Sequence, residues 1–262
     1  MKNLLYKYLD ANGGLSMLYN HDLMFTNATR LNDPFDCHPS LIDFTQIPKK
    51  EQSGWPPEII QMIKAESFRR DHERTWLCSL SKVYDELLMW SYYNSHKGIC
   101  IGIDMDKATP FLDNMYGDVM IGCMKLEVQY KDIINKPDYF KAKEDLFQYQ
   151  LCTKGKAWKH EQEVRLILLD PSPVYMKLLS GQNDKKGPIN WKDVHAFGKL
   201  SGECFDSVYL GVNITQEDKD KITKIAQQIN PNIKLYQMSI DPNAFKLKAE
   251  LLPNLPKQNN QL

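Results

Sequence analysis

The sequence predicts an α+β fold: a central mixed or mainly antiparallel sheet, continuous or split, with flanking helices. Short runs rich in β-branched and aliphatic residues recur along the chain and read as strands. Amphipathic stretches with a 3.6-residue period lie between them. No internal repeat or clean linker interrupts the chain, so residues 1–252 read as one α+β domain and 253–262 as a disordered polar tail.

Taken in order, residues 4–9 alternate as a strand, with Tyr6 and Tyr8 on one face and Lys7 on the other. Asp10-Ala11-Asn12-Gly13-Gly14 reads as a break, 15–20 as a short helix, and 22–27, including Thr26, as a second strand. Arg30-Leu31-Asn32-Asp33-Pro34-Phe35-Asp36 carries turn chemistry, because Asx side chains bond the local backbone and Pro fixes φ. Its acids and Asn32, set around a buried-looking Phe35, also suit polar ligand recognition, and both readings stand. Residues 58–74 have helical spacing with a solvated charged face.

A strand over 75–81 precedes a helix over 85–94 that sets Trp90 and Tyr93 three residues apart on one face. Such a pair is core, or a stacking surface for a flat ring such as a base or nicotinamide. Residues 99–104 are apolar on both faces and predict a central strand, with Gly98 and Gly102 leaving room for close backbone approach. Two extended pieces over 119–130 and an amphipathic helix over 139–152 follow. Beyond the 164–169 strand come residues 174–180, a polar loop over 181–190 and another strand over 205–211. Thr215 caps a helix over 216–229, with Asp218 at its third position, and strands over 233–239 and 245–251 close the domain.

Composition narrows the function classes. Equal numbers of basic and acidic residues, 33 each, argue against a broad nonspecific grip on nucleic acid. No apolar run approaches membrane-spanning length, and the amino-terminal apolar stretch is too short for a signal peptide. Scattered cysteines without a Cys-x-x-Cys pair, three of them in apolar runs, suit core thiols in a reducing cytoplasm. Neither cysteines nor histidines have metal-ligand spacing, so no structural zinc is expected.

The stretch richest in chemistry is Trp158-Lys159-His160-Glu161-Gln162-Glu163-Val164-Arg165 with its aliphatic continuation, ended by Asp170-Pro171. As a strand it places Glu161, Glu163 and Arg165 on one face, the two carboxylates roughly 6.5–7 Å apart. One reading is a solvent-facing row in which Arg165 neutralises a Glu; the other is a row lining a cleft, with one Glu reactive. Paired carboxylates beside an aromatic such as Trp158 stabilise an oxocarbenium-like transition state at a sugar carbon. A metal-dependent nuclease is the weaker alternative, with Asp104 or Asp106 completing the acids and Lys154 or Lys156 meeting phosphate.

Four blocks together resemble a bacterial family, the domain of unknown function 2971. They are Tyr6-Lys7-Tyr8, residues 30–36, Met89-Trp90-Ser91-Tyr92-Tyr93 with residues 97–102, and Lys156-Ala157-Trp158 running into Glu161-Gln162-Glu163-Val164-Arg165. More distantly, Glu161-Gln162-Glu163 resembles the late Glu-x-Glu strand of ADP-ribosyltransferase-like proteins. Lys7, flanked by tyrosines, stands where those proteins carry His or Arg, and the Thr26 strand is placed as their middle element. That likeness implies NAD as co-substrate, Glu163 as the acid on the ribose and the oxocarbenium ion, and Glu161 as the group orienting a protein or nucleic-acid acceptor. Tyr6, Lys7, Tyr8, Thr26, Asn32, Asp33, Trp90, Tyr93 and Trp158 would bind the nucleotide-type ligand. It also implies a toxin or phage-defence effector. The alternative from the residues themselves is a non-catalytic recognition module using the Asn32–Asp36 loop and the Trp90/Tyr93 face.

Overall fold

A computed structural model describes residues 2–46, 56–58, 61, 73–93, 95–114, 123–142, 145–169, 190–192 and 194–253. Most of the expected 58–74 helix, residues 174–180 and almost all of the tail lie outside the described residues. In chain order the elements begin with β1 (Leu4–Leu9), α1 (Ala11–Asn20), β2 (Asp22–Asn27), β3 (Thr75–Ser81), α2 (Leu87–Tyr92) and β4 (Ile99–Asp104). Next come α3 (Met105–Asp113), β5 (Met124–Glu127), β6 (Gln129–Lys131), α4 (Leu146–Cys152), β7 (Thr153–Gly155) and β8 (Glu163–Leu169). The chain continues with β9 (Asn190–Lys192), β10 (His195–Lys199), β11 (Phe205–Leu210), α5 (Gln216–Ile229), β12 (Lys234–Ile240) and β13 (Leu247–Leu251). The fold is α+β, with helices and a mixed, mostly antiparallel sheet. Its residues group into two compact units, Met1–Asp22, Leu80–Phe111 and Leu200–Leu262 in the first, Leu23–Ser79 and Leu112–Lys199 in the second.

In the first unit the strands run β13-β12-β11-β4-β1. The β11–β12 pair is parallel and the others antiparallel. Helix α5 makes the crossover that a parallel pair needs. Its start follows the predicted capping box: Thr215 Oγ1 accepts from Asp218 N at 3.1 Å and donates to Asp218 Oδ2 at 2.8 Å. All six residues of β4 are buried, as a strand apolar on both faces should be.

Helix α1 covers one face of β4 and begins four residues earlier than the sequence suggests. Asp10 caps it, accepting from Gly13 N at 2.6 Å. The glycines read as a break are helical instead, and Gly14 lets the helix approach β4 closely, since a Cβ there would collide with Ile99. Gly98 is a second close approach, where a side chain would strike the Leu9 carbonyl. On the opposite face Tyr6, Tyr8, Met89, Trp90, Cys100, Tyr209 and Met238 form an apolar cluster. Within it Tyr84 stacks on Tyr209 and Tyr209 on Tyr236, with ring centroids 4.3 and 4.7 Å apart.

The second unit carries most of β3, which pairs with β2 and β8, while β8 also pairs antiparallel with β5. The helix expected over 139–152 is confined to α4, whose start is set by Asp145 accepting from Gln148 N. Leu77, Leu151, Cys152 and Ile167 pack with Cys37 and Ala28 into an apolar cluster beneath β8. Strand β8 itself is buried on both faces. The row of Glu163 and Arg165 is therefore an interior row, which removes the first of the two readings, that of a solvent-facing row.

Candidate functional site

The Glu-x-Glu stretch does not continue as one strand. Lys156–Glu161 forms a 3₁₀ segment, Gln162 takes a left-handed conformation at φ 44°, and β8 starts at Glu163. That reversal folds Glu161 back, so one ammonium bridges both carboxylates: Lys154 Nζ lies 2.6 Å from Glu161 Oε2 and 3.2 Å from Glu163 Oε2. The same ammonium is 3.7 Å from Asp36 Oδ2 and sits over the Trp158 ring at 4.9 Å from its centroid. Lys154 stands on β7, a strand too short for sequence periodicity to reveal.

Arg165 is the hub. It is 0% exposed, and all three of its guanidinium nitrogens donate. Nη1 and Nη2 hold Asp36 in a fork at 2.7 and 2.6 Å, and Nε donates to Glu163 Oε1 at 2.8 Å. Nη1 also donates to the Leu151 carbonyl at 2.6 Å, answering a carbonyl in the last turn of α4. Asp36 is aimed inward by its loop: Asp33 Oδ1 accepts from Phe35 N and the Asp33 carbonyl from Asp36 N. The loop is thus a structural turn that delivers a charge to the interior, while Phe35, expected inside, is 60% exposed.

Electrostatics follow from this packing. Burial works against ionisation of Glu163, yet the Arg165 guanidinium and Lys154 ammonium hold its carboxyl well below the usual range. Burial likewise opposes the charge on Lys154, and Glu163, Asp36 and Glu161 overcome it, raising the ammonium pKa. For Glu161 burial prevails over Lys154 and the pKa rises. Tyr130, whose hydroxyl accepts from Glu163 N at 2.8 Å, is pushed up to about 12 by burial. The Cys37 thiol beside Arg165 is pushed up by burial too, which makes it a poor nucleophile.

Of the residues expected at a site, Glu161, Glu163, Arg165 and Trp158 meet in the second unit, joined by Asp36 and Lys154. Asn32 and Asp33 lie in the loop that supplies Asp36, and Thr26 Oγ1 is 3.5 Å from His195 Nδ1 on the neighbouring strand. Tyr6, Lys7, Tyr8, Trp90 and Tyr93 belong to the first unit. Trp90 is 1% exposed and donates from Nε1 to the Tyr84 carbonyl at 2.8 Å, so it is core rather than a stacking surface. Tyr8 is also interior, its hydroxyl bonded to the Val83 carbonyl. Tyr93 remains 40% exposed and stacks on Tyr8.

No protein-family model, curated protein or solved structure matches this chain. Among the described residues, no group of three or more His, Cys, Asp and Glu is arranged to hold a metal ion. No helix among them is long and apolar enough to cross a membrane.

Proposed function

We propose that the chain acts by binding rather than by catalysis: it is a non-catalytic recognition module, and its Glu-x-Glu stretch is an internal brace. The observation that carries this reading is Glu163, 4% exposed, with both carboxylate oxygens engaged by Arg165 and one of them also by Lys154. An acid that binds a ribose hydroxyl and answers a developing oxocarbenium charge has to touch the sugar. Here the same oxygens neutralise two cations within the protein. The exposed aromatics support recognition instead: Phe35 at the tip of the Asn32–Asp36 loop in one unit, Tyr92 and Tyr93 in the other. The partner is a macromolecule or a small ligand met in the cytoplasm, a setting that suits six free thiols, five of them buried.

Incubation with NAD, following nicotinamide release and ADP-ribose transfer to protein or nucleic acid, separates this reading from its rival. Expected are intact NAD and a Glu163→Gln variant altered in stability alone. NAD consumption that Glu163→Gln abolishes while the melting transition is retained overturns the recognition reading in favour of an NAD-dependent transferase.

A further inference from the structure

Strand β13 stands at the end of the strand order in the first unit, and among the described residues β12 is the one strand paired with it. The register between them, from Ile240 opposite Leu247 to Tyr236 opposite Leu251, runs without a shift. At its two ends Asp241 N donates to the Lys246 carbonyl and Leu252 N to the Leu235 carbonyl. Hydrogen-bonded pairs alternate along an antiparallel ladder, so the backbone groups of Lys248 and Glu250 face β12. Those of Leu247, Ala249 and Leu251 point outward, along an edge that carries neither a proline nor a bulge to blunt it.

The side chains of this edge are self-complementary. Leu247, Ala249 and Leu251 lie on the face that carries the Tyr209–Tyr236 stack. Leu247 is buried in that cluster and Ala249 packs against it, while Leu251, next in the row after Tyr236, is 65% exposed. On the other face Lys248 Nζ lies 2.7 Å from Glu250 Oε1, and both side chains are about half exposed. Reversed in direction, the strand Leu-Lys-Ala-Glu-Leu presents an acid where it presented a base and keeps a leucine at each end.

We propose that this edge joins two copies of the chain, β13 pairing antiparallel with β13 about a two-fold axis at Ala249. In that register each Leu247 faces the second copy's Leu251, and their outward N–H and C=O groups bond as pairs. Lys248 faces the second copy's Glu250 at a position without backbone bonds between the strands, where opposed side chains come closest. The exposed Leu251 is covered by a leucine that is already part of an apolar cluster. The charges fix the register too, because sliding by two residues sets Lys248 against Lys248 or Glu250 against Glu250. A two-fold pairing occupies both edges, so association through them stops at the dimer. Five residues from each copy make a small interface, and the dimer is accordingly weak and concentration-dependent. This inference is independent of the recognition reading.

Sedimentation velocity of the full chain, from micromolar to near-millimolar concentration, tests it. A reversible monomer–dimer equilibrium is expected. Lys248→Glu or Glu250→Lys alone opposes like charges and should weaken dimerisation about tenfold or more at low salt, with the folded circular-dichroism signal retained. Mixing these two variants restores opposite charges across the axis, so the mixture should form dimers that each variant alone forms poorly. Both changes combined in one chain, which keep an ion pair within the strand, should dimerise like the parent. A parent chain that stays monomeric throughout, the result if another segment or a foreign peptide occupies the edge, overturns the proposal. So does a dimer that neither single variant weakens, or a mixture no more dimeric than its components. None of these outcomes bears on NAD turnover, so failure here is distinct from failure of the recognition reading.

Discussion

Strands β4 and β8 are both buried, and they reach the interior by opposite routes. β4, Ile-Cys-Ile-Gly-Ile-Asp, is apolar along most of its length, and its burial is driven by transfer of those side chains from water. β8 puts a carboxylate and a guanidinium into the same kind of environment, where an isolated charge is prohibitively costly. It is tolerated because Asp36 and Lys154 arrive from a loop and a three-residue strand to pair with Arg165 and Glu163. The comparison separates two sorts of fragility. An apolar strand fails when a charge is added, and an ionic one fails when a charge is removed.

The largest expected effect lies on the apolar side. Ile101→Asp places an unpaired carboxylate at a fully buried position, at a cost of about 5 kcal/mol or more, comparable to the whole stability of a marginal domain. The variant should be unfolded by circular dichroism; a soluble variant with unchanged melting temperature breaks the contrast. Arg165→Ala comes next. It leaves Asp36, Glu161 and Glu163 sharing one ammonium, and denaturant titration should show a loss of about 3–5 kcal/mol. Combining it with Asp36→Ala should cost less than the sum of the single changes, because both remove the same fork.

Glu163→Gln should cost less, about 2–3 kcal/mol at neutral pH, since the amide keeps the shape and one acceptor oxygen. Its pH dependence sharpens the test. The folded pKa of Glu163 lies below the ordinary value of about 4.3, so its stabilisation is full above that value and is lost as pH falls toward the folded pKa. Melting temperature should therefore fall more steeply on acidification in the parent than in the variant.

The smallest effect belongs to Glu161, and its sign is reversed. Asp36, Glu161 and Glu163 face only Lys154 and Arg165 within the network, and burial raises the Glu161 pKa. Stability linked to this group is full below about 4.3 and declines as pH rises through the raised folded pKa. Glu161→Gln should remove that decline and be no less stable than the parent at neutral pH, within about 1 kcal/mol. Two glutamates two residues apart, changed identically, should thus differ in direction when melting is followed from pH 4 to 8. Equal losses would show that the two carboxylates share one role.

Much of the local structure was legible in the chain. The apolar run of β4 required burial on both faces, the alternation of β1 put Tyr6 and Tyr8 together, and Thr215 with Asp218 marked the start of α5. These are short-range consequences of side-chain periodicity and backbone hydrogen bonding. The reversal at Gln162 was not legible, because a left-handed residue that is not glycine leaves no clear mark in composition. Nor was the identity of the partners. Asp36 lies 129 positions from Arg165 and reads locally as part of a turn, while Lys154 reads as a base that could meet phosphate. The sequence by itself determined that Glu163 and Arg165 share a face of a strand, since side chains alternate along any extended chain. Only the tertiary structure decided that this face is interior and that a lysine and an aspartate close it, because the charge balance of a buried site depends on contacts that chain spacing does not encode.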